Sequence, residues 1–497
     1  MDSRSEDLLE IIRSRGTQGQ FVDYRCIPAQ DAQTSPWPEW IPTPVVSAWH
    51  QSGVNEPWLH QVQALESIHS GRDVVIATGT GSGKSLVAWT PILSDLVQAD
   101  DSNRISDIHR RPSCLYLSPT KALAADQLHS LNHLVDGLEH DVALALADGD
   151  TPREAKEWAR ANADIVLTNP DYLHYVMLPR HERWTRFLAS LRYVIVDEMH
   201  QWRGVSGSHI SLVLRRLLRI ARHLGADVQV IMMSATLADP QSVAQTMIGR
   251  ENIDAITDDT SGRGTHHIFM WEGREVPREE DVSIDAFLSA LRAAEAGEET
   301  VLEAPTQRLS AQTEASLLCA ELIRADARLL TFVRSRGGAE AVAAQTRDKL
   351  RDAPELASTV AAYRGGFLPE ERRALESALR SGRLRALATT SALEMGIDIS
   401  GLDVTITAGW PGTRASFWQQ VGRSGRAGAD GISVLIAGDN PLDSFLVHHS
   451  DEIFSPVEAA VLDPQNPWVL RDHLCAAAAE LPLPDDEAIA VFGRGAP

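Results

Sequence analysis

A chain of 497 residues, 43% hydrophobic and 23% charged, has the composition of an ordinary globular protein with room for about two to four domains, which excludes a disordered or fibrous chain. Its formal net charge of -22 argues against a partner recognised through a broad Lys and Arg surface, although the total does not fix where charges sit. The four cysteines, Cys26, Cys114, Cys319 and Cys475, form no C-x-x-C pair, so spacing indicates neither a zinc knuckle nor a disulfide framework. No apolar run approaches a transmembrane helix, and Met1 to Asp7 lack the basic and apolar blocks of a secretory leader. The expected setting is a reducing cytoplasm, with no membrane partner.

In chain order, residues 1–55 read as an irregular arm. Pro36, Pro38, Pro42 and Pro44 remove backbone donors and hold the preceding residues extended, so Trp37 and Trp40 are expected to anchor the arm onto something larger. Trp58 to Leu65 opens a helix. Strand-like runs at 74–77, 114–118, 165–168, 193–196 and 228–233 then alternate with helical patterns such as 122–134 and 209–223. Residues 274–311, rich in Glu, Arg and Ala, read as a helix plus a surface loop. A second alternating block follows, with strands at 329–333, 387–390, 405–407 and 433–436. Such alternation predicts an α/β fold of two tandem lobes, each a parallel sheet covered by helices on both faces. The expected boundaries are an arm at 1–55, a first lobe at 56–255, a second at 256–437, and the start of an accessory region at 438–497, with an Ala-rich helix near 475–480.

Four stretches carry chemistry. The first is Asp73 to Ser85, an apolar strand, a glycine-rich turn, then Lys-Ser opening a helix. Backbone N–H groups of Thr80, Gly81, Ser82 and Gly83 can converge on phosphate oxygens at a helix N-terminus, Lys84 can reach the β- and γ-phosphates, and the Ser85 hydroxyl can ligate Mg2+. The strict pattern asks for glycine where Thr78 stands. The second stretch is Tyr193 to His200, an apolar strand ending in two carboxylates: Asp197 suits the Mg2+ shell and Glu198 the proton of the attacking water. The third is Ser234-Ala235-Thr236 at a strand end. The fourth is Gln419 to Arg426, where Arg423 and Arg426 lie three residues apart on one side and suit phosphate charge.

These four, in this order, resemble the motifs of superfamily 2 helicases with a DExH-type second motif. His60-Gln61 resembles the adenine-reading motif, Pro119 to Leu123 and Thr168 to Asp171 the two strand-contacting motifs of the first lobe, and Phe332 to Ser335 and Thr389 to Asp398 those of the second. A narrower resemblance, to the YprA/MrfA family of DNA helicases related to the RecQ-like repair helicases of fungi, rests on 77–85, Ser416 to Gln420, His473 to Leu483, Asp148 to Pro152 and Pro36 to Trp40. It implies two RecA-like domains and an ATP- and Mg2+-dependent enzyme acting 3′ to 5′ on single-stranded DNA and DNA junctions in repair, associated with the nucleoid. Family members carry a further C-terminal domain with a four-cysteine zinc site, which the cysteines here do not supply.

By the same resemblance Gln61 reads adenine, Lys84 and Ser85 hold phosphate and Mg2+, Asp197 holds the metal, and Glu198 is the base. His200, Ser234, Thr236 and Gln419 couple hydrolysis to strand movement. Arg423 and Arg426 act on the γ-phosphate and Asp398 supports the closed form. Thr120, Lys121, Thr168, Asn169, Arg334 and Thr390 face the nucleic-acid backbone, which they would read without base identity. Two alternatives stand beside this reading: an RNA helicase or remodeller of the same superfamily, and a non-processive, nucleotide-gated binding module. His266-His267 and His448-His449 have no metal-ligand partners at useful spacing and are expected to be surface or internally satisfied histidines.

Overall fold

The computed structural model describes residues 3–16, 19–101, 111–235, 237–277, 306–364, 366–394, 402–425, 428–458 and 460–495. The chain forms two compact units, each α/β. The first comprises Gln30–Gly262 with Pro456–Pro497; the second comprises Met1–Ala29, Arg263–Glu394 and Ile399–Ser455.

The expected single arm is therefore divided. The helix Ser3–Arg15 and strand β1 (Phe21–Ile27) belong to the second unit. The helix turns Leu8, Leu9 and Ile12 into one core with Phe269, Trp271 and Leu318, because apolar residues spaced three and four apart share a helix face. From Gln30 the chain belongs to the first unit. There Trp37 donates to Asn55 O at 2.9 Å and Trp40 stacks on His69 at 4.4 Å, so both tryptophans anchor this stretch.

The first unit's sheet contains β2 (Asp73–Ala77), β3 (Ser113–Leu117), β4 (Leu144–Leu146), β5 (Ile165–Thr168), β6 (Leu191–Val196), β7 (Gln229–Ser234) and β8 (Ile253–Ile256). All neighbours are parallel, in the order β4-β5-β3-β6-β7-β2-β8. Side-chain alternation places Val74, Ile76, Cys114, Tyr116, Tyr193 and Ile195 in one apolar layer and Val75, Leu115, Leu117, Val194 and Val196 in the other. Two-faced burial is why these strands read as continuous apolar runs.

The second sheet runs β1-β9-β16-β15-β12-β14-β13, where β9 is His266–Trp271, β12 Leu329–Val333, β13 Val360–Tyr363, β14 Ala386–Thr389, β15 Val404–Ala408 and β16 Gly431–Ile436. Six strands are parallel and β1 adds to β9 antiparallel, closing that edge. Within the stretch expected to hold a helix and a loop, β10 (Glu275–Pro277) pairs antiparallel with β11 (Thr306–Arg308); the residues between lie outside the described ones.

The expected accessory region also divides. Helix Pro441–His448 belongs to the second unit. Helices Pro467–Glu480 and Asp485–Phe492 pack on helix Gly204–His223 of the first, where Arg216 pairs with Glu480 and Arg219 donates to Ala477 O at 2.9 Å. Among the described residues no helix is long and apolar enough to cross a membrane.

Candidate nucleotide site and nucleic-acid surface

The first unit's motif residues lie in loops at the carboxyl ends of its parallel strands, where open α/β sheets place their ligands. β7 lies between β2 and β6, and Ser234 is the register partner of Ala77. The glycine-rich loop after β2 and the two carboxylates after β6 are thus two strand spacings apart, about 10 Å.

The loop is organised by its own side chains. Buried Thr78 bonds through its hydroxyl to the Ser82 hydroxyl at 2.6 Å, closing the loop across its mouth. The threonine that departs from the strict pattern is therefore a clamp, a role glycine cannot fill. Lys84 Nζ donates to Thr78 O at 3.0 Å and Gly79 O at 2.8 Å, and burial lowers its pKa against the raising fields of Glu198 and Asp197. Gly83 has φ +63°, and a Cβ there would collide with Gln61 Nε2, so glycine is required twice over. Gln61 is tied at both ends of its amide: it accepts from Trp58 N at 2.8 Å and donates to Gly83 O at 2.9 Å. A residue expected to read adenine thus also holds the phosphate loop.

Glu198 sits at φ 49°, ψ 46°, a left-handed conformation rare for a residue with a Cβ. This turn sends the adjacent carboxylates to different neighbours. Asp197 accepts from Tyr116 OH and, at 2.8 Å, from Glu198 N. Burial, reinforced by the Glu198 charge, pushes Asp197 up to about 7. Glu198 Oε2 lies 3.4 Å from His200 Nδ1, which accepts from Ala235 N at 3.3 Å and meets Ser234 Oγ at 3.4 Å. Burial and the Lys84 charge hold His200 down at about 4, so the ring is neutral and its Nδ1 is tied to the Ser234-Ala235 turn, beside the Glu198 carboxylate. The oxygen donors of Ser85 and Asp197 are hard ligands of the kind that suits Mg2+.

The nucleic-acid candidates divide. Exposed Thr120 caps helix Lys121–Asp136 by accepting from Leu123 N at 3.2 Å, and exposed Lys121 pairs with Asp150 at 2.7 Å. Asn169 caps the next turn through Tyr172 N at 2.9 Å and is buried. Thr168 does not reach a surface: it is fully buried and donates to Ala147 O at 2.5 Å, as the last residue of β5, which is covered on its outer side by the edge strand β4.

In the second unit, exposed Arg334 is held by Trp410 O at 2.8 Å and by Asp443 at 2.9 Å. Asp443 is a buried hub that also accepts from Trp410 N and Gly438 N, both at 2.8 Å. Thr390 is half-buried. Arg423 is buried and donates to Glu394 O. Glu394 in turn accepts from Gln420 Nε2 at 2.6 Å, and Gln420 Oε1 accepts from Thr407 at 2.7 Å. Gln419 is buried beside it on the helix Arg414–Val421. Thr236, Asp398 and Arg426 lie outside the described residues. The paired histidines bond internally: His266 to Ser433 at 2.9 Å, His267 to Tyr24 at 2.6 Å, His448 to Glu272 at 3.2 Å and His449 to Phe445 O at 3.0 Å.

Glu394 and Gln420 fall inside motifs read from the sequence but without a role of their own, and Tyr116 and Asp443 fall outside them; of these two, Tyr116 leaves a signal, a phenol in an otherwise apolar buried strand.

Comparison with known proteins agrees with this geometry. Residues 58–244 match the DEAD/DEAH box helicase family model, and residues 314–428 match the helicase conserved C-terminal domain. The chain is 34% identical to an uncharacterized ATP-dependent helicase, YprA, of Bacillus subtilis, over 97% of this chain and 60% of that one. It is 32% identical to the ATP-dependent helicase HRQ1 of Saccharomyces cerevisiae, over 85% of this chain and 37% of that one. Among solved structures, the DUF1998 helicase MrfA bound to DNA and AMPPNP superposes with a TM-score of 0.84 at 32% identity, covering 98% of this chain and 62% of that one. Mycobacterium smegmatis Lhr bound to single-stranded DNA and AMP-PNP superposes at 0.69 with 26% identity, covering 91% and 55%. The chain spans less than two thirds of the length of these relatives.

Proposed function

Because the chain belongs to the YprA/MrfA family of superfamily 2 helicases, we propose that it is an ATP-dependent DNA helicase or translocase that moves 3′ to 5′ on single-stranded DNA and DNA junctions during repair, in the cytoplasm at the nucleoid. The observation that carries the reading is the placement of the Lys84 loop and the Asp197-Glu198 pair at the same end of one sheet, flanking β7. In this reading Thr80 to Ser85 hold the triphosphate, Gln61 reads adenine, and Glu198 takes the proton of the attacking water. A Mg2+ held by Ser85 and Asp197 would neutralise charge on the phosphates. Arg423 and Arg426 stabilise charge developing at the γ-phosphate, with Asp398 in support. His200, Ser234, Thr236 and Gln419 pass the change to the strand-contacting residues Thr120, Lys121, Asn169, Arg334 and Thr390.

DNA rather than RNA is the substrate of this reading because the solved MrfA and Lhr structures are described as bound to DNA. The test is ATP hydrolysis with and without single-stranded DNA, and with RNA of the same sequence, followed by unwinding of duplexes bearing a 3′ or a 5′ tail. The expectation is stimulation by DNA, loss of turnover in Lys84→Ala, and unwinding from the 3′ tail. Equal rates with and without DNA, unchanged in Lys84→Ala, sink the proposal; stronger stimulation by RNA moves it to the RNA reading.

A further inference from the structure

The glycine-rich loop already holds an anion supplied by the chain itself. The Gly79 N–H donates to Asp259 Oδ2 at 3.0 Å, and a Cβ on Gly79 would stand only 2.8 Å from that oxygen. The carboxylate is fixed from behind: Asp259 Oδ1 accepts from Ser261 N at 3.0 Å and from Ser261 Oγ at 2.6 Å. Its own carbonyl accepts from Gln30 Nε2 at 2.6 Å.

A second tie runs beside the first, through buried His60. Its Nδ1 faces Thr260 N at 3.2 Å and Thr260 Oγ1 at 2.8 Å, and its Nε2 faces Ser82 O at 3.1 Å. A carbonyl can only accept, so Nε2 carries the proton, Nδ1 accepts, and the ring is neutral. Residues 259–261 are thus pinned to the loop at Gly79 and at Ser82. Two residues further on, at Arg263, the chain passes into the second unit.

Backbone N–H groups of such a loop are the groups that attract phosphate oxygens. The carboxylate on the Gly79 amide stands one residue before the Thr80 to Gly83 amides and adds negative charge where a triphosphate brings more. In the same state Lys84 turns to the loop's carbonyls, Thr78 O and Gly79 O.

We propose that Asp259 is a positioning residue for nucleotide: an internal anion on the Gly79 amide, beside the Thr80 to Gly83 amides, that must withdraw when the triphosphate's phosphates arrive. Release removes one of the two ties between the loop and residues 259–261, the last stretch before the second unit, and leaves the tie through His60. The inference rests on the reading of Thr80 to Ser85 as the nucleotide loop. Its energetics follow from competition: apparent affinity is the intrinsic affinity reduced by the fraction of loops free of the internal anion.

The test is titration of the full chain with a fluorescent ATP analogue without nucleic acid, which reads binding and not turnover. Asp259→Ala removes the anion; Asp259→Asn keeps an acceptor of the same size without the charge; Ser261→Ala loosens the tether and leaves the charge in place. The expected result is a Kd lowered threefold or more in Asp259→Ala and Asp259→Asn, and lowered to a lesser degree in Ser261→Ala. ATP turnover should show the same fall in KM with little change in kcat. A Kd that falls less than threefold, or rises, in whichever Asp259 variant folds overturns the proposal, since a merely structural carboxylate moves the melting temperature but not affinity in this direction. Failure of the unaltered protein to bind the analogue overturns the nucleotide reading of the loop instead, so the two failures are distinct.

Discussion

Each unit is built on a seven-stranded sheet whose parallel strands end in the loops that carry the motif residues, but the two units hold those loops in different ways. In the first, many of the ties are short in sequence, Thr78 with Ser82, Lys84 with the carbonyls of residues 78 and 79 and Asp197 with the amide of Glu198, and distant partners such as Tyr116 on Asp197 and Asp259 on Gly79 are added to them. In the second, the two described motif arginines are held by partners farther along the chain: Arg423 by Glu394, and Arg334 by Asp443. A site assembled locally is set when its own strand–loop–helix unit folds. A site assembled from distant partners is set only when the whole sheet has formed.

The largest effect that tests this contrast is expected at Arg423. In Arg423→Ala, ATP turnover should fall by about 10³–10⁵, the range for an arginine that stabilises phosphoryl transfer, while binding of an ATP analogue to the Lys84 loop persists. Arg423→Lys should not restore turnover, since an ammonium cannot reproduce the planar guanidinium. Turnover within tenfold of the unaltered protein in both variants breaks the comparison, because the second unit would then contribute no chemistry. Glu198→Gln should follow, with kcat reduced by about 10²–10⁴, as for loss of a general base. Here too the nucleotide Kd should hold, and a Kd that collapses would mean that Glu198 supports the loop rather than the water.

How much of this was legible in the sequence follows from the same contrast. The glycine-rich loop, the carboxylate pair and their strands are legible because each motif directly follows its strand, and two-sided burial makes those strands continuous apolar runs. The clamp role of Thr78 could not be read, since nothing in a lone threonine says which hydroxyl it will meet. The direction of Thr168 cannot be read either, because a strand-final threonine can turn to the surface or into the sheet, and here its hydroxyl goes to Ala147 O. The edge strand β1 was missed because its pairing with β9 joins residues some 240 positions apart, as in Tyr24 and His267. The Glu394–Gln420–Thr407 chain and the Asp443 hub are hidden for the same reason: apart from Gly438, five positions from Asp443, their partners lie 13 to 109 positions apart.

Asp443 gives the third test. Its side chain is buried and accepts from Arg334, Trp410 N and Gly438 N. Asp443→Ala leaves two backbone donors unsatisfied, each costing about 1–3 kcal/mol when buried. Denaturant unfolding should show a loss on the order of 3 kcal/mol. A loss below about 1 kcal/mol would mean that the second unit does not depend on this distant partner.

The smallest effect lies in the first unit and tests the counterpart ion pair. Lys121 and Asp150 sit 2.7 Å apart with both side chains largely in solvent, a geometry worth about 0–1 kcal/mol. Asp150→Asn should therefore leave stability nearly unchanged, in contrast to Asp443→Ala. Its effect should appear in binding instead. Asp150 occupies the cation that is proposed to meet a strand phosphate, so removing its charge frees Lys121 and relieves repulsion. Affinity for single-stranded DNA should rise at low salt, and the gain should shrink as salt screens the pair. Lys121→Ala should lower the same affinity and flatten its salt dependence. If Asp150→Asn weakens DNA binding while Lys121→Ala leaves it unchanged, the acidic loop at residues 148–152 is itself the contact, and Lys121 serves only to hold it.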